Sequence, residues 1–253
     1  MIAICVPADA QPPDLPGVDE RPKGERTRLT SADGTAFAAH EARATEPSGA
    51  AMVVLPDVRG LFGFYASLAE SFAGAGVDAI AMDYFGRTAG TDERPGDWEF
   101  WPHVQATTPE QVRTDVAATV ERVRTISAAD RVYTVGFCFG GGHSFAQAAS
   151  GLGLDGVIGF YGPPRKKRDN FPSPIELVDD FECPVLGLFG GADEGIPADE
   201  VDAFGSALSA TGVEHRLHTY PGAPHSFFDR SYDAYAEECA DAWRRVLAFT
   251  GRR

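Results

Sequence analysis

An α/β fold built on a mostly parallel sheet is the architecture this sequence predicts, and three observations carry the prediction. Short, unbroken apolar runs rich in β-branched residues recur along the chain. Segments with helical periodicity separate them, and no break in composition divides the alternation. A strand buried on both faces needs apolar side chains at consecutive positions, whereas a half-exposed strand alternates. These runs therefore belong inside a sheet covered by helices.

The elements follow in order. Residues 1–25 are predicted to form a loose N-terminal arm, because Pro, Asp and Gly crowd positions 7–26. Residues 26–253 are predicted to form a single domain, a common outcome for α/β chains of this length. "TRLTSADGTAFAAHEA" reads as two short strands around an Asp33-Gly34 turn. "AMVVLP" (51–56) and "VDAIAMD" (77–83) are buried strands, and "FYASLAESFAGAG" between them places Tyr65, Leu68, Ala69 and Phe72 on one helical stripe. "TTPEQVRTDVAATVERVRTI" opens as a helix should: Thr108 at the N-cap, Pro109 at N1 and Gln111 at N3 compose a capping box. Val112, Val116, Val120 and Val123 supply its apolar stripe. "RVYTVGF", "DGVIGFYG", "CPVLGLFGG" and "EHRLHTYPG" bring the strands to about eight. Helices are expected at "HSFAQAASGL", 197–211 and 231–250.

Composition excludes several functions. The chain carries 22 Lys plus Arg against 37 Asp plus Glu, a net charge of −15, which repels nucleic-acid backbones and anionic membranes. No stretch approaches the length of a membrane span. The four cysteines (Cys5, Cys138, Cys183 and Cys239) show neither metal-ligand spacing nor a disulfide pattern. No signal peptide is recognisable in the first residues, so a reducing cytoplasm is the expected compartment. No metal or organic cofactor is expected, and the state is expected to be a monomer or small homo-oligomer.

Ligands of such sheets gather beyond the carboxyl ends of the strands, and three of those ends hold reactive residues. In "GFCFGG", Cys138 sits on a strand-to-helix turn whose glycines permit close backbone passage. It is either a small buried hydrophobe or a thiol activated at a helix N-terminus. Asp193 follows a strand in "VLGLFGGADEGIP", and His225 follows the last strand in "YPGAPHSFF". Separately, each has a bland reading as a turn former or a solvated ring. Together they stand in the order nucleophile, acid, histidine that belongs to α/β-hydrolases, and the chain has no G-x-S-x-G to compete with Cys138.

At these residues the chain resembles the dienelactone hydrolase (carboxymethylenebutenolidase) family of the α/β-hydrolase fold. The likeness covers about residues 27–250 and rests on "GFCFGG", "GGAD", "PHSF", "LPDVRGLFGFY" and "AMDYFGR". It implies a hydrolase acting on a small-molecule lactone or carboxylic ester, with Cys138, His225 and Asp193 as a catalytic triad. It also implies an acid touching the resting thiol, here Asp57, and oxyanion donors at the backbone of Val58 and Phe139. The family's two substrate-binding arginines are not plainly matched. One position reads Asp229, with Arg230 beside it; the other falls near "TDERPGDWEFW", where Arg94 is the one arginine. Arg94, Trp101 and Arg230 are the candidate substrate contacts, and an acidic substrate becomes less expected than a general ester or lactone.

Other features keep two readings. "RKKR" (165–168) is a solvated loop or an attractor of anionic substrate. "DWEFWPHVQ" (97–105) is core packing and a lid, or an aromatic wall of the site. Arg59 and Tyr84 lie near strand ends and could shape the pocket, while Cys5, Cys183 and Cys239 have no base beside them. A general carboxylesterase on aryl or short-chain esters is the second enzyme reading. A catalytically silent, ligand-binding or oxidant-sensing homologue is the reading from another class.

Overall fold

A computed structural model describes residues 10–165 and 171–251. Eight strands form one sheet: β1 (Glu25–Thr30), β2 (Ala36–Ala42), β3 (Ala50–Leu55), β4 (Asp78–Met82), β5 (Arg131–Phe137), β6 (Gly156–Phe160), β7 (Val185–Gly190) and β8 (His215–Tyr220). Their order is β1-β2-β4-β3-β5-β6-β7-β8. β1 and β2 are antiparallel, and every pair from β4–β3 to β7–β8 is parallel. Strands β3 to β7 are buried along their length except for Arg131, which is why they read as continuous apolar runs.

Successive side chains point to opposite faces, so β3 feeds two cores. Met52 and Val54 pack on the side of α1 (Gly63–Gly74), while Ala51, Val53 and Leu55 pack on the valine stripe of a later helix, Pro109–Ile126. Two short helices, α2 (Gly86–Ala89) and α3 (Trp101–Ala106), precede that helix, which is α4. The α4 stripe behaves as expected: Val112, Val116, Val120 and Val123 are all buried. Its capping box closes in both directions, Gln111 N–H to Thr108 Oγ1 at 3.2 Å and Thr108 N–H to Gln111 Oε1 at 2.9 Å. Then come α5 (Phe139–Ala146), α6 (Ala198–Thr211) and α7 (Ala236–Phe249). α5 meets α6 through Phe145 and Phe204, and α7 meets α1 through Trp243 and Phe72, with ring centroids 4.7 Å apart.

Two expectations need correcting. The stretch expected as a loose arm has no helix or strand between residue 10 and β1, yet it is packed rather than loose. Leu15 joins the core, Trp243 Nε1 donates to the Pro16 carbonyl at 3.0 Å, and Gly24 N–H donates to Glu70 Oε1 at 2.9 Å. Its prolines suit an extended run held by side chains of α1 and α7, which local composition does not reveal. The last helix begins at Ala236, not 231, because residues 226–235 fold into turns, several of which border the cavity. Of "RKKR", positions 166–168 lie outside the described residues, as does Cys5.

Candidate active site

The junction of β5 and α5 is built around close backbone contact. A Cβ on Gly136 would stand 1.9 Å from the Gly140 carbonyl oxygen, and one on Gly140 would stand 2.2 Å from that of Leu55. Only glycine fits either position, so β5 can turn at once into α5. The residue at the turn, Cys138, takes φ 54° and ψ −113°, a conformation that costs a non-glycine residue about 1–3 kcal/mol. The turn is fixed by the Cys138 N–H donating to Phe160 O at 3.0 Å and by the Gly141 and Gly142 N–H groups donating to Cys138 O. Cys138 is 9 % exposed and its open side faces a cavity of about 840 Å³.

His225 and Asp193 line the same cavity. Asp193 stands just beyond β7, where its Oδ1 accepts the Gly195 N–H at 2.9 Å and so sets the carboxylate plane. Its Oδ2 lies 2.6 Å from His225 Nδ1. The Asp193 carboxylate is almost wholly buried, which strengthens that contact and selects the tautomer with the proton on Nδ1. The imidazole therefore carries its acceptor on Nε2. Tyr161, itself at φ 37°, sets a ring against the imidazole with centroids 5.0 Å apart.

The loop after β3 closes another side. Asp57 is fully buried and its Oδ1 accepts the Arg59 N–H at 2.9 Å, while Gly60 N–H returns to the Asp57 carbonyl. Val58 lines the cavity, as does Phe139 at the first position of α5. Tyr84 does not reach the cavity wall; its hydroxyl holds the Pro56 carbonyl at 2.8 Å and so anchors the loop that bears Asp57 and Val58.

The three candidate substrate contacts part company. Trp101 and Arg230 line the cavity. Arg94 does not: its guanidinium binds Asp83 through two bonds, at 2.8 and 2.5 Å, and packs over the rings of Trp98 and Phe85. Its expected substrate role is corrected to a structural one. Asp83 also accepts the Leu61 and Phe85 N–H groups, so one buried carboxylate knits three loops and needs the arginine as counter-charge. The aromatic cluster divides between its two readings. Trp98 packs edge-on against Phe85 and at a tilt against His103, Phe100 is buried, and Trp101 walls the site.

Sequence reasoning passed over much of the remaining wall. Pro163, Pro172, Pro174, Ile196 and Pro224 come from three separate connections, and His143 comes from the second turn of α5. Isolated prolines carry no signal of convergence; His143, four residues past Phe139 and so on the same helix face, was the one findable member. Asp229 is the other surprise. It is fully buried, and burial with the nearby Asp57 charge pushes its carboxyl up to about 7. Burial also pushes the thiols of Cys183 and Cys239 up to about 12, leaving both protonated. Among the described residues, no three His, Cys, Asp or Glu side chains converge as metal ligands would, and no helix is long and apolar enough to cross a membrane.

Comparison with known proteins agrees with this architecture. The model of the dienelactone hydrolase family matches residues 37–252. A protein of Saccharolobus solfataricus, named as a candidate carboxymethylenebutenolidase, is 37% identical over 146 residues, 57% of this chain and 53% of that protein. The match thus spans about half the length of that relative. A Synechocystis protein of the same name is 29% identical over 204 residues, covering 77% of this chain and 82% of its own. Among solved structures, a candidate dienelactone hydrolase of Klebsiella pneumoniae superposes with a TM-score of 0.77 at 25% identity, covering 91% of this chain and 99% of the other.

Proposed function

The chain belongs to the dienelactone hydrolase family, and on that footing we propose that it cleaves a carboxylic ester or lactone through Cys138, His225 and Asp193. The observation that carries the reading is the 2.6 Å contact between His225 Nδ1 and Asp193 Oδ2 inside the cavity onto which Cys138 opens. A carboxylate fixed on Nδ1 leaves Nε2 as the base, and Cys138, which opens onto the same cavity, is the nucleophile we assign to it.

The steps follow. His225 takes the Cys138 proton and the thiolate attacks the carbonyl carbon. The oxygen that becomes negative is held by the backbone N–H groups of Val58 and Phe139, each such donor being worth about 3–4 kcal/mol in the transition state. The tetrahedral intermediate collapses to a thioester, and His225 returns its proton to the departing alcohol. Water, deprotonated by His225, then attacks the thioester; the acid leaves and the thiol is restored. Throughout, Asp193 stabilises the imidazolium and keeps it aimed.

The test uses iodoacetamide and p-nitrophenyl acetate. Alkylation is expected to fall on Cys138 and to abolish turnover in proportion, with Cys183 and Cys239 unlabelled. Fresh, reduced protein that turns over no ester would favour a silent ligand-binding or oxidant-sensing role instead.

A further inference from the structure

The cavity is large and its described walls are mostly apolar. Its volume of about 840 Å³ lies toward the upper end of the range for small-molecule sites and far exceeds what a compact lactone fills. Trp101, Phe139, Ile196, Pro163, Pro174 and Pro224 supply rings and aliphatic surface from five different connections and helices. Proline rings and a tryptophan held between packed elements lose little freedom when a ligand arrives, so such a wall is largely pre-formed.

Among the described residues, the charged groups on the wall do not form a carboxylate clamp. Asp193 is committed to His225. Arg230 is exposed, and Glu194 on the same wall opposes it in sign. Arg94 is locked onto Asp83, and Asp229 stands fully buried next to Arg230 in the chain. On the described wall, an anionic substrate would give up its hydration for one solvated guanidinium, on a protein of net charge −15. An apolar group would lose nothing on entry and would gain contact with the rings.

We propose that the substrate of this site is an uncharged ester bearing a bulky aryl or alkyl group, lodged against Trp101 and the proline wall, and not a small carboxylate-bearing lactone. The proposal rests on Cys138 acting as an acylated nucleophile, and it adds what that nucleophile is offered.

A kinetic panel on the wild-type protein tests it. In one series the acyl group of p-nitrophenyl esters grows from acetate to valerate, hexanoate and phenylacetate, and hemisuccinate serves as the anionic counterpart of valerate. In a second series the alcohol of acetate esters grows from ethyl to benzyl to naphthyl. Each methylene buried is worth about fourfold in kcat/KM. At least one series is therefore expected to rise by about tenfold or more from its smallest to its bulkiest member. Valerate is expected to exceed hemisuccinate by at least about tenfold, with the difference persisting at high salt. Trp101→Ala and, should that variant be unstable, Trp101→Phe are expected to flatten the rise, mainly through KM. A flat response in both series, or hemisuccinate or a dienelactone matching valerate, overturns the inference while leaving the thiol mechanism standing. No turnover of any ester, with Cys138 intact and reduced, ends both.

Discussion

At the scale of single residues, the proposed chemistry depends on one carboxylate fixing one ring. Asp193→Asn presents an amide where Nδ1–H needs an acceptor, so the tautomer with the proton on Nε2 becomes available and the base is lost. Loss of kcat on the order of 10³–10⁴-fold with little change in KM is expected in steady-state ester hydrolysis; a loss below tenfold would remove Asp193 from the mechanism. Asp229 gives a prediction of different character. Its carboxyl binds a proton more tightly in the folded chain, where it titrates near 7, than at the ordinary value of 3.8. The stability it contributes is complete below about pH 4 and is lost as pH rises through about 7. Asp229→Asn removes the burial cost of that charge, so the variant is expected to gain on the wild type above pH 7, by on the order of a few kcal/mol. The gap should close toward pH 4; urea midpoints running parallel across that range would contradict it. The placing of Cys138, Asp193 and His225 at strand ends, where they line one cavity, was legible in the sequence because turn glycines and strand ends flag them. The burial of Asp229 and the capture of Arg94 by Asp83 were not, since both arise from loops that meet only in three dimensions.

At the scale of elements, the β5–α5 turn and the cap of α4 were both readable, for different reasons. The capping box is a local pattern whose bonds span three residues, so Thr108, Pro109 and Gln111 placed the start of α4 to the residue. Thr108→Ala is expected to cost about 1 kcal/mol in the urea midpoint and to leave ester turnover alone. The glycine turn is local in sequence but its constraint is not: Gly140 is forbidden a side chain by the Leu55 and Pro56 carbonyls of the β3 end, 2.2 and 2.3 Å from the Cβ it lacks. Gly140→Ala must therefore push β3 and α5 apart. A lowered midpoint is expected together with a disproportionate fall in kcat, because the same shift moves Val58 relative to Cys138. Unchanged stability and rate would show that the junction is not tight. The short helices α2 and α3 were missed, being too brief to show a period.

For the molecule as a whole, the parallel sheet was the most legible feature, since burial on both faces leaves its mark on every strand. The packed segment ahead of β1 was the least, because proline-rich composition looks the same whether the chain is free or laid along α1 and α7. Leu15→Ala is expected to cost about 2–3 kcal/mol in equilibrium unfolding, whereas a free arm would give no change. The sheet brings three connections, after β5, β7 and β8, to one cavity, and the proposed chemistry depends on that convergence. The most direct measurement is a rapid-quench reaction with p-nitrophenyl acetate followed by peptide mapping. One equivalent of p-nitrophenol is expected in a burst, with the acetyl group found on Cys138 as a thioester. A linear release without burst and an unmodified Cys138, or an acetyl group on any other side chain, would contradict the account.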